Sequence, residues 1–157
     1  MTRAEMKREI GRGYFGIGIE NPKREVNVGS LFRSAHLYGA AFVFTVGPRR
    51  YERQGSDTTA CQRHIPLLRF ETASGARDAL NCALVGIELD DRSVPLGEFR
   101  HPVQAAYLMG AEDNGLSAEA LASCHSLVQI ECPAQWSMNV ASAGAIVIYD
   151  RMMRVQQ

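Results

Sequence analysis

Three short segments of this 157-residue chain gather the residue types that do chemistry. The first, Asn27-Val28-Gly29-Ser30-Leu31-Phe32-Arg33, sets a carboxamide and a guanidinium six residues apart. Asn27 suits the cap of the helix that follows, and Gly29 lets a backbone or ligand approach closely. Arg33, flanked by Phe32, Ala35 and Leu37, reads on its own as a snorkelling surface residue. The second, Leu108 to Leu116, holds Glu112-Asp113-Asn114 between Gly110 and Gly115. Paired acids raise the idea of a metal or a glycosidase pair, but adjacent carboxylates on a loop more often serve as cap and turn residues. The third, Trp136-Ser137-Met138-Asn139, follows Cys132-Pro133 and opens a helix. One cap accounts for Ser137 or for Asn139, not readily for both.

Other chemistries are not signalled. A dinucleotide fold places Gly-x-Gly-x-x-Gly between its first strand and helix, and none occurs at that position here. Gly16 and Gly18 fall inside the first strand and point to close packing instead of a phosphate cradle. No Gly-Lys-Ser/Thr is present. Cys61, Cys82, Cys124 and Cys132 form no Cys-x-x-Cys pair, and neither Cys61 with His64 nor Cys124 with His125 matches structural zinc spacing, so reduced thiols and no metal are expected.

The elements that must carry these segments follow from periodicity. Tyr14 to Ile19 predicts a buried strand, and Asn27 to Tyr38 a helix with Val28, Leu31, Phe32 and Ala35 on one side. Strands are expected at Ala41 to Val46, Pro66 to Phe70, Cys82 to Leu89, Gln104 to Met109 and Leu127 to Ile130. Helices are expected over Thr72 to Asn81, from Ser117, and from Met138 or Asn139 to about Val155. A polar, Arg-rich loop runs from Arg49 to His64. Alternating strands and helices define the α/β class: a mostly parallel sheet with helices on both faces and ligand loops at the strand ends.

The chain has length for one domain, residues 1–157, with the first dozen expected to be loosely ordered. Seventeen basic and seventeen acidic residues cancel, which excludes a broadly basic nucleic-acid coat. Only two of the seventeen cations are Lys, so Arg, the residue suited to bidentate phosphate contact, dominates. No run reaches the roughly 18 apolar residues of a membrane span, and the charged start lacks a signal peptide's apolar stretch; a cytoplasmic protein is expected.

Taken together, in order and in register, the three segments resemble the motifs of the SpoU (TrmH-like) class of the SPOUT superfamily, S-adenosylmethionine-dependent RNA 2′-O-ribose methyltransferases. Asn27 to Ala35 is similar to the first motif, Leu108 to Leu116 to the second, and Val128 to Ile130 through Ser137 to Ala143 to the third. Met138 stands where many members carry Leu. The resemblance, which spans about Tyr14 to Arg154, implies a C-terminal trefoil knot, an exception to the usual rule. It also implies a homodimer with the site near the interface, to which Ala141, Ala143, Ala145, Ile146, Ile148 and Met152 of the last helix are expected to contribute. S-adenosylmethionine is expected at Ile87, Glu88, Leu89, Gly110, Gly115, Ile130 and Met138. The absence of a phosphate-binding turn agrees with a donor that carries no pyrophosphate.

The implied reaction is attack by a ribose 2′-hydroxyl on an activated methyl, in which alignment supplies most of the acceleration. Arg33 corresponds to the family's catalytic arginine. Guanidinium groups do not deprotonate in proteins, so Arg33 is expected to orient the ribose and neighbouring phosphate and to steady the developing alkoxide, with the proton passing to phosphate or water. Asn27 is expected to hold Arg33 or the acceptor loop, Glu112 to organise the second motif, and Ser137 and Asn139 to fix the third loop and the acceptor ribose. Arg49, Arg50 and Arg53 join Arg33 as RNA contacts.

Transfer RNA, with the wobble ribose of the anticodon loop as one target, is the favoured acceptor, because no added RNA-binding domain is apparent and a single-stranded loop presents a splayed nucleotide. Ribosomal RNA is the alternative within the class. A non-catalytic RNA- or cofactor-binding module is the alternative outside it, and the presence of Arg33 and Asn139 weighs against that.

Overall fold

Residues 13–49, 64–134 and 136–155 are described by the computed structural model. The first dozen residues and most of the Arg49 to His64 loop, including Arg50 and Arg53, lie outside the described residues. The strands are β1 (Tyr14–Glu20), β2 (Phe42–Val46), β3 (Leu67–Phe70), β4 (Ala83–Ile87), β5 (Val94–Pro95), β6 (Gln104–Met109) and β7 (Ser126–Gln129). The helices are α1 (Glu25–Leu37), α2 (Ala73–Leu80), α3 (Ala118–Ser123) and α4 (Val140–Val155). The sheet order is β3-β2-β1-β6-β4-β7-β5, and every pairing is parallel.

Alternation along each strand sorts the apolar residues into two cores, because successive side chains leave a strand on opposite faces. Ile17, Ile19, Val43, Val85 and Tyr107 meet Leu31 and Phe32 of α1 and Val147 and Ile148 of α4. Phe42, Phe44, Leu84 and Leu108 meet Ala73 and Ala76 of α2 and Ala120 of α3 on the other. Each large side chain so buried contributes roughly 1.5–3 kcal/mol of transfer free energy. Gly16 and Gly18 lie under the rings of Phe42 and Phe44, where a Cβ has no room, so they serve packing as their position in the strand implied.

The ends of the elements differ from the periodicity in instructive ways. Helix α1 starts at Glu25, with Arg24 in the cap position making no side-chain cap. Asn27 is therefore not the cap expected of it: it sits in the first turn with its side chain turned inward and buried. The two-residue β5 and the following 3-10 turn, Leu96–Glu98, fall in a stretch with no periodic signal. Within α4, Ala143 and Ile148 point into the core and leave Ile146, Tyr149 and Met153 as the exposed apolar residues, which corrects the set expected at an interface. No helix among the described residues is long and apolar enough to cross a membrane.

The sheet runs outward in both directions from the β1–β6 pair, and in such open sheets ligands bind beyond the carboxyl ends of the strands where the order reverses. The second and third motifs leave β6 and β7 at that edge, and the first follows β1.

Candidate active site

The turn after β6 folds tightly on itself. Gly115 adopts a left-handed φ of +63°, and its N–H donates to the carbonyl of Ala111 at 2.9 Å. A Cβ on Gly110 would collide with the Gly115 backbone, so both glycines are needed for the close approach. Two carboxylates brace the exit of this turn. Glu88 accepts from the N–H of Leu116 at 2.7 Å and of Leu89 at 3.0 Å. Glu20, buried at the end of β1, accepts from the N–H and hydroxyl of Ser117 at 2.6 and 2.7 Å. Glu20 carried no sequence signal, since a lone acid at a strand end looks like any other.

Within this frame the three motifs meet. Asn27 Nδ2 donates to Glu112 Oε1 at 2.6 Å, and Asn139 Nδ2 donates to Asn27 Oδ1 at 3.1 Å. Asn139 Oδ1 accepts from the N–H groups of Ala141 and Ser142 at 2.9 and 3.3 Å, which makes Asn139 the cap of α4. One carboxamide thus links motif one to both of the others. Glu112 Oε2 is buried and has no partner among the described residues. Such an orphan acceptor is costly, about 1–3 kcal/mol, unless a ligand satisfies it.

Beside this chain of bonds lies a cavity of about 300 Å³ at the carboxyl ends of β4, β6 and β7. Ile87, Glu88, Leu89, Gly110, Gly115, Ile130 and Met138 all line it, together with Glu112, Ser137, Cys132 and Trp136. Asn27 and Asn139 are not among the lining residues, but each is bonded to or adjacent to one that is. Arg33 does not line the cavity: it is exposed on α1 and makes no hydrogen bond or ion pair with another described residue. Arg49, also exposed, donates to the carbonyl of Asn21 at 3.4 Å, and Lys23 pairs with Asp113 at 3.4 Å. These cations border the turn from the β1 side.

Among the described residues no group of three or more His, Cys, Asp or Glu side chains is arranged to hold a metal. His125 is committed elsewhere, its Nδ1 accepting from the Leu84 N–H at 2.9 Å. Burial, with Glu20 and Glu119 adding to it, pushes the Cys124 thiol up to about 12, which leaves it inert as a ligand or nucleophile.

A doubly wound parallel sheet with a strand-end cavity, walled by apolar residues and glycine turns, defines an α/β protein that takes a small organic ligand at its sheet edge. Comparison with known proteins narrows that class. Residues 15–149 match the model of the SpoU rRNA Methylase family, and the chain belongs to that family. An uncharacterized tRNA/rRNA methyltransferase of Archaeoglobus fulgidus is 28% identical over 155 residues, covering 92% of this chain and 66% of its own length. An AdoMet-bound rRNA methyltransferase from Sinorhizobium meliloti superposes with a TM-score of 0.79 at 23% identity, over 91% of this chain and 57% of that one. A structure solved to explain 2-OH methylation of C/U34 on tRNA superposes at 0.78 and 20% identity, over 93% of this chain and 99% of that one. The chain thus spans about two thirds of the archaeal relative and somewhat over half of the Sinorhizobium protein, whereas it matches nearly all of the third.

Proposed function

We propose that the protein is an S-adenosylmethionine-dependent RNA 2′-O-ribose methyltransferase acting on tRNA, with the wobble ribose of the anticodon loop as its target. The observation that carries this reading is the Glu112–Asn27–Asn139 linkage, which ties the three motifs together at the wall of a ligand-sized cavity. The superposition over nearly the whole of the chain studied for C/U34 methylation supports tRNA over rRNA in this reading.

The cavity fits the donor. Ile87, Ile130 and Met138 offer an apolar slot, Gly110 and Gly115 expose backbone, and Glu112 Oε2 offers a buried acceptor for a ligand hydroxyl or ammonium. S-adenosylmethionine, when bound, supplies a methyl group activated by its sulfonium. The rest falls to the chain. Asn139 fixes the start of α4 and so the loop carrying Ser137, which faces the cavity and contacts the acceptor ribose. Arg33 orients the ribose and its neighbouring phosphate and steadies the charge that develops on the 2′ oxygen, while the proton leaves to phosphate or water. Arg49, Arg50 and Arg53 hold the RNA backbone.

Arg33 stands apart from the cavity on a face of α1 that also exposes Val26 and Leu37, continued by Tyr38, Ile146, Tyr149 and Met153. An apolar face of this extent favours a second copy of the chain, and a homodimer joined there brings Arg33 to a site shared across the interface. The threading of the C-terminal segment into a trefoil knot belongs to the same reading.

The test is methyl transfer from labelled donor to total RNA from cells lacking the protein, followed by nucleoside mapping. A 2′-O-methylated tRNA nucleotide is expected. Arg33→Ala is expected to abolish transfer while donor binding by calorimetry persists, and unchanged turnover removes Arg33 from the reaction.

A further inference from the structure

The only tryptophan of the chain, Trp136, is 80% exposed, although burying an aromatic side chain of this size is among the most favourable steps available to a fold. It lines the cavity mouth, one residue before Ser137 and three before Asn139, and two more half-exposed apolar residues, Leu89 and Met138, line the same cavity. We infer that Trp136 is the platform on which the base of the acceptor nucleotide stacks, holding the splayed nucleoside over the cavity so that its ribose faces Ser137. The inference rests on the RNA-methyltransferase reading above and adds a positioning residue to it.

The chemistry of the surroundings selects a base over the other parts of an RNA. A second groove, continuous with the cavity through Leu89, Ile130 and Cys132, carries Asp90, Asp91 and Glu131. Of these, Asp90 is paired with Arg92 at 2.8 Å, and the other two leave the flank acidic. A phosphate is repelled there, whereas an uncharged aromatic base is not. The cations that can take phosphates, Lys23, Arg24 and Arg49, lie instead in and after the β1 and β2 ends. Base-on-aromatic stacking is tolerant of base identity, which suits a platform whose task is to present a ribose.

Because Trp136 has no fluorescent rival of its kind in the chain, the experiment reads the residue directly. Full-length protein is titrated with unfractionated tRNA from cells lacking it, following tryptophan emission alongside filter retention and methyl transfer. Emission is expected to change along the retention curve. Trp136→Ala is expected to raise KM for tRNA about tenfold, with donor affinity by calorimetry changing by a clearly smaller factor, and Trp136→Phe to restore most of the loss. Wild type that transfers methyl groups while Trp136→Ala keeps its KM overturns the inference alone. An emission change that follows protein concentration and not tRNA also overturns it, assigning Trp136 to contact between copies. Wild type that neither retains nor methylates RNA overturns the proposed function and this inference with it.

Discussion

The two ends of the parallel sheet are built on opposite terms. At the amino ends of β1 and β6, Arg151 of α4 is buried and its guanidinium donates to the carbonyls of Tyr14, Pro102 and Val103 at 3.2, 2.6 and 2.7 Å and to the Tyr107 hydroxyl at 3.1 Å. It also lies over the Phe15 ring at 5.5 Å. His101 bridges the Tyr107 hydroxyl at 2.6 Å and Asp150 at 2.7 Å, and Arg154 closes on Asp150 and the Leu96 carbonyl. Among the described residues, no buried polar side-chain atom at this amino end lacks a partner. At the carboxyl ends, by contrast, Glu112 keeps a buried oxygen with no partner among the described residues, a cavity stays open and a tryptophan stands in solvent. Stability is concentrated at the first end and unsatisfied capacity at the second, where a ligand can complete it.

That division is open to attack from either side. The largest effect is expected from Asn27→Ala, which cuts both bonds joining the motifs: methyl transfer should fall on the order of 100-fold, the scale of a misplaced catalytic loop, while the far-end network is untouched. Steady-state rates with circular dichroism as the control decide this, and a near-normal rate dissolves the role of the linkage. Arg151→Met is the reciprocal case. Several buried carbonyls lose their donor, so unfolding free energy should drop by about 3 kcal/mol in urea titrations while the rate per folded molecule holds. If activity falls and stability does not, the ends are not separable as described.

A smaller effect concerns pH. Burial pulls the His101 imidazole below the ordinary histidine value of 6.5, outweighing the hydrogen bond to Asp150 that raises it. The unfolded chain therefore binds the proton more readily than the folded one. Stability contributed by neutral His101 is complete above 6.5 and is lost as pH falls from there toward the lower folded value. Urea midpoints at pH 8 and pH 5.5 should separate in wild type and draw together in His101→Gln; equal separation in both removes His101 from the pH response.

What could be read in advance tracks the range over which residues act. Ile17, Val28, Leu31 and Leu108 announced their strands and helices because burial repeats over a few residues, and Ser117 announced α3 through a cap it does make, its hydroxyl accepting from the Ala120 N–H at 3.1 Å. Asn27 misled for the same reason: in isolation a carboxamide before an apolar helical run looks like a cap, and its partner lies 85 residues away. Arg151 and His101 gave no signal at all, since an arginine in the last turns of a helix ordinarily faces water and nothing local says that strand carbonyls await it. The grouping of motifs was legible only as a resemblance of three segments, and their hydrogen bonds only in three dimensions.

Helix α4 belongs to both ends, and its length sets a tolerance. Arg151 and Asn139 are twelve residues apart, about 18 Å of helix at 1.5 Å per residue. A swing of about three degrees about the Arg151 anchor moves Asn139 by roughly 1 Å, enough to cost on the order of 100-fold in rate if it displaces the reacting groups. The far network is in effect an angular bearing. How finely it seats the helix limits how finely the opposite end can aim.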